Sequence, residues 1–121
     1  MKKAIVLSAG LSLLLGAGAL FAHDEPAGGT QVITGEVVDL ACYLGSGERG
    51  PNHRECAEKC ISSGLPVGIK TTDTLYIAIT GEHGPANAKL ASLASKTVEA
   101  EGTVSERDGV HLIAIKKVTA K

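Results

Sequence analysis

The sequence predicts a mainly β protein with two short helices, and three observations carry that expectation. Five runs rich in β-branched or alternating apolar residues are separated by Gly, Pro, Asn and Asp. Only "HRECAEKCISS" and "ANAKLASLAS" read as helices. The chain of 121 residues has room for one domain at most, with a single modest core.

The N-terminus stands apart from that domain. "MKK" precedes the apolar run "AIVLSAGLSLLLGAGALFA", and acidic "HDEP" follows. A basic start, an apolar stretch and small residues before Ala22 form the pattern of a secretory signal peptide over residues 1–22. A retained membrane anchor is the weaker reading, because no basic stop-transfer cluster follows the run. Residues 23–30, "HDEPAGGT", read as a flexible lead-in, and 31–121 as the domain. The expected location is the periplasm or the medium.

"QVITGEVVDLACYL" reads as a long first strand, with Gly35 a bulge or bend. "GSGERGPN" is a loop. Asn52 is placed to cap a helix through "HRECAEKCISS", which Gly64 stops. "LPVGIK" and "LYIAIT" give strands two and three; in the latter Leu75, Ile77 and Ile79 alternate with Tyr76, Ala78 and Thr80. A turn at "GEHGP" leads to the helix "ANAKLASLAS". "KTVEAEGTV" puts Val98, Ala100, Gly102 and Val104 on one face, and Asp108-Gly109 marks a hairpin tip before "VHLIAIKKVTA". Setting aside the first helix, the order is that of a five-stranded OB-like barrel, whose helix lies between strands three and four. The Cys- and His-bearing helix is then an insertion between strands one and two.

Composition narrows the function. Without Lys2 and Lys3, ten basic and thirteen acidic side chains remain, a net charge near −3. The only aromatics after the leader are Tyr43 and Tyr76. Binders of single-stranded nucleic acid need a basic groove and aromatic stacking platforms, so nucleic acid is a poor candidate partner. No nucleophile–base–acid motif, catalytic carboxylate pair or phosphate loop stands out, which speaks against an enzyme.

All three cysteines fall between Asp39 and Gly68, together with one of the four histidines. At about 100° per residue, His53, Cys56 and Cys60 fall within about 60° of one another on a helix. Cys42 approaches from the end of the first strand. Thiolates and an imidazole converging in this way suit Cu(I) or Zn(II), with Asp39 able to orient His53 from behind. His53 and Cys60 are two turns apart, so one ion reaches both only if His53 sits at the helix cap. A site of Cys42, Cys56 and Cys60 alone is therefore a variant.

Two other readings stay open. Cys42 can pair with Cys56 or Cys60 in a disulfide that ties the helix to the barrel, worth about 2–4 kcal/mol in a small secreted domain. That would make the protein a disulfide-stapled ligand-binding module. A thiol–disulfide redox protein is the third reading, and it requires a thiol of lowered pKa. A metal ion is the leading ligand, held for carriage or for structural stability; a periplasmic partner protein would receive it in the first case. His23, His83 and His111 read as ordinary tail, turn and strand residues.

"GEVVDLACYL", "HRECAEKCISSGLPVGI" and "KTVEAEGTV" together resemble a family of small secreted bacterial OB-like proteins. The likeness covers most of the chain after the leader and is carried by GxVVDxxCY and HxxCAxxCxxxGxPVG. It implies that Asp39, Cys42, His53, Cys56 and Cys60 form the family's characteristic cluster, and it implies no particular activity. The CxxxC spacing is also similar to that of exported copper chaperones of the thioredoxin fold, whose βαβ order this chain lacks.

Overall fold

A computed structural model describes residues 29–121; the expected signal peptide, His23 and most of the lead-in lie outside the described residues. Five strands follow one another: β1 (Thr30–Asp39), β2 (Val67–Lys70), β3 (Leu75–Thr80), β4 (Thr97–Arg107) and β5 (Val110–Ala120). They close into a barrel in the order β1-β2-β3-β5-β4, with β1 returning to pair with β4. Only β3 and β5 are parallel; every other pair is antiparallel. This is the expected OB-like barrel with a Cys- and His-bearing helical insertion between β1 and β2.

The barrel is small, and its filling is aliphatic. Val37, Ile69, Val98, Ile113 and Ile115 are fully buried, with Ala78 and Ala100 between them. The expected inward face of β4 holds, since Val98, Ala100, Gly102 and Val104 are all buried. Gly35 lies where β1 passes from pairing with β4 to pairing with β2. A Cβ there would stand 2.6 Å from the Lys70 carbonyl oxygen, so only glycine lets β1 fold across β2. Asp108 and Gly109, with φ of 53° and 79°, form the two-residue tip of the β4–β5 hairpin, as their identity predicts.

Two features depart from expectation. The first strand ends at Asp39, and Leu40–Ser46 is a short helix, α1, which raises the helix count from two to three. The physical reason is a cap: Asp39 Oδ1 accepts a hydrogen bond from the Cys42 backbone N–H at 2.8 Å. An Asx cap three residues upstream of an amide converts extended chain into helix. Cys42 therefore sits in the first turn of a helix and not at a strand end. In β3, the inward residues are Ala78 and Tyr76, while Ile77 is 36 % exposed. The narrow interior takes the alanine, and the larger aliphatics turn outward beside exposed Leu44 and Val110.

The insertion continues with a 3-10 turn, Pro51–His53, that runs into α2 (Arg54–Ser62). Asn52 makes no cap; Gly50 turns the chain at φ 84°, and the His53 N–H donates to the Gly50 carbonyl at 3.0 Å. At the other end Gly64 adopts φ 99°, and the Gly64 and Leu65 N–H groups donate to the Ile61 and Cys60 carbonyls. That paired closure is a Schellman stop, with glycine where the sequence places it. The helix buries Ala57 and Ile61. Its cysteines lie one position earlier, rotated about 100° away from the core stripe.

α2 rests on the barrel's own helix, α3 (Asn87–Leu90), and on the 3-10 turn Ala91–Leu93 after it. Asn87 Nδ2 donates to the carbonyls of Ile61 at 2.8 Å and Leu65 at 2.7 Å, clamping the end of α2 to α3. These carbonyls belong to a helix end, where intrahelical donors run out. Asn87→Ala removes both bonds and should lower stability by about 1–2 kcal/mol, read as a fall in urea midpoint with an unchanged m-value.

Candidate metal centre

The site begins with a charge in an unfavourable place. Asp39 is 1 % exposed, the only buried charged residue among those described. A desolvated carboxylate costs several kcal/mol unless its oxygens are hydrogen-bonded. Here one oxygen receives the Cys42 amide, and the other faces His53 Nε2 at 3.0 Å. Against a carboxylate that ring nitrogen carries the proton, which leaves Nδ1 with its lone pair. His53 is itself 11 % exposed, held at the junction of the 3-10 turn and α2.

The ligand atoms of Cys42, His53 and Cys56 lie within 4.8 Å of one another, and so do those of Asp39, Cys42 and Cys60. Each spread is close to that of ligands around one ion, where bonds of about 2.0–2.3 Å put neighbouring donors roughly 3.5 Å apart. The five residues expected to form the cluster therefore meet, but in two groups that share Cys42. His53 and Cys60 fall in different groups, even though His53 occupies the helix cap. Cys42 and Cys60 are half-buried, Cys56 is exposed, and all three are free thiols.

The thiols carry the imprint of the carboxylate. Cys42 is pushed up from an ordinary 9.0 to about 12, first by its hydrogen bond to Asp39, then by burial and the Asp39 charge. Burial raises the Cys60 thiol, and the neighbouring Cys56 adds to it. Both effects favour the protonated thiol in the metal-free protein. Attack on a disulfide needs the thiolate, the form that both shifts disfavour.

Three further residues support the cluster. Glu36 accepts the Gly50 N–H at 2.5 Å and lies 3.8 Å from Arg49 Nη1, holding the loop that delivers His53. Glu48 Oε2 stands 3.9 Å from His53 Nδ1, on the open side of the ring. Gly68 lets Leu40 pack against β2, since a Cβ there would meet Leu40 Cδ2 at 2.8 Å. Gly68 closes the HxxCAxxCxxxGxPVG pattern, whereas nothing local marks Glu36, in β1, or Glu48, in the loop. His83 and His111 stand away from the cluster, the latter edge-on to Tyr76 with ring centroids 5.6 Å apart.

No family model, curated protein or solved structure matches the chain. The site is thus read from its own geometry.

In metal-free, reduced protein, iodoacetamide should label Cys56 first and Cys42 last at pH 8. Because its folded pKa lies above its unfolded one, the Cys42 thiol favours folding below pH 9.0, and that contribution disappears as pH rises toward 12. Site-resolved mass spectrometry reads the labelling order; equal rates at Cys42 and Cys56 would contradict the Asp39 hydrogen bond.

Proposed function

We propose that this is an exported, non-enzymatic metal-binding protein that holds Cu(I) or Zn(II) in its Cys/His cluster. The observation that carries the reading is the convergence of Cys42, His53 and Cys56 from two helices and a cap, within 4.8 Å. Two sulfurs and an imidazole suit either soft d¹⁰ ion. Asp39 supports the reading from behind: its carboxylate faces His53 Nε2 at 3.0 Å and fixes the ring, the carboxylate–histidine arrangement found behind metal ligands. Export rests on residues 1–22, whose pattern is that of a signal peptide.

Carriage fits the exposure of the cluster better than a purely structural role. Cys56 is open to solvent, so an incoming thiolate or imidazole of a partner protein can reach the ion and displace ligands one at a time. A purely structural ion is ordinarily closed off by four protein ligands. Among the described residues no helix is long and apolar enough to cross a membrane.

Elemental analysis and thiol counting on protein purified from the periplasm without added metal test this reading. Bound copper or zinc, with thiols that react only after chelation, is the expected result. Absence of metal together with a disulfide and one free thiol would overturn it. Asp39→Asn should weaken the metal affinity about 10–100-fold through the loosened histidine, measured by chelator competition.

A further inference from the structure

Resting on the metal-binding reading, we propose that the cluster accommodates two zinc ions, bridged by the sulfur of Cys42. The outer position is Cys42, His53 and Cys56. The second, inner position is Asp39, Cys42 and Cys60.

Three observations lead there. The first is reach. His53 sits at the cap of α2, yet its ligand atom and that of Cys60 share no group of mutually close ligand atoms. The two groups accordingly separate these residues and overlap only at Cys42. One ion satisfying either group leaves the other group's outlying cysteine without a role.

The second is connectivity. The Cys42 sulfur lies within 4.8 Å of both an Asp39 oxygen and the Cys60 sulfur, so it belongs to the inner group as well as the outer one. An ion placed among Asp39, Cys42 and Cys60 leaves the Asp39 contacts to the Cys42 amide and His53 intact, because each carboxylate oxygen has a second lone pair.

The third is charge. With their protons gone, three thiolates and one carboxylate carry four negative charges within one cluster. One divalent ion leaves two of them uncompensated; two divalent ions balance the set. The carboxylate also selects the metal: Asp oxygen is an ordinary zinc ligand, while Cu(I) prefers sulfur and imidazole. Zinc therefore fills both positions, and Cu(I) fills the outer one.

Native mass spectrometry of the full chain, reduced and titrated with zinc acetate against a chromophoric chelator, tests the assignment. The expected result is two zinc ions on the unmodified protein and one each on Cys60→Ser and Cys56→Ser. One ion on the unmodified protein would overturn the inner position and leave the metal-binding reading standing. Absence of both zinc and copper binding would overturn that reading as well. Two ions retained by either variant would overturn the ligand assignment. Cadmium-113 NMR of the unmodified protein should give two resonances split by coupling through the shared sulfur; two uncoupled resonances would overturn the bridge without relying on any variant's folding.

Discussion

The buried carboxylate of Asp39 is the constraint on which the rest of the site depends. An ionised group with 1 % exposure persists only if its surroundings are polar and directed at it, and the chain supplies them from three places. The Cys42 amide ends β1 and starts α1; the Cys42 sulfur lies within 4.8 Å of a carboxylate oxygen; the His53 ring is pulled across from the head of α2. Because one side chain makes all three contacts, the strand end, the first helix and the second helix cannot settle independently. The same contacts that satisfy the charge also gather sulfur and imidazole around it.

The barrel provides the rigidity that this arrangement needs. β1 pairs with β4 over Thr30–Glu36 and with β2 over Glu36–Asp39, so Asp39 projects from a strand end held opposite Val67. α2 is pinned at its head through His53 and at its tail by Gly64 and Asn87. Its Ala57–Ile61 stripe is spent on the core, leaving the Cys56–Cys60 stripe to face Cys42. One position of helical phase separates a pair of buried fillers from a pair of ligands. That offset explains how a single helix of nine residues serves packing and chemistry together.

Much of this was legible in the residues. Alternation in β4, the Asp108-Gly109 hairpin and the Gly64 stop are local signals, and the structure agrees with each. The strand order followed from counting elements. What failed were competitions that local patterns cannot decide. The β-branched run before it carried the strand reading on into "DLACYL", yet Leu40 and Ala41 are good helix formers and Asp39 accepts the Cys42 amide that opens α1. In β3 both faces are apolar, so alternation gave the period and not the side; the volume available inside a five-stranded barrel decided for Ala78. The division of the cluster was half legible. The seven-residue spacing sets His53 apart from Cys60, but the closeness of the Cys42 sulfur to Asp39 and Cys60 depends on where α1 points.

The outward turn of β3 has a consequence for colloidal behaviour. Strands with exposed aliphatic side chains are ordinarily hazards, because their unpaired amides and carbonyls can recruit another chain. Here the ring of strands is complete: β3 is flanked by β2 and β5, and its main-chain polar groups are already engaged. Ile77 and Val110 can offer only side-chain surface to a neighbour. The molecule therefore displays greasy surface at a position from which fibril growth by strand addition has no template.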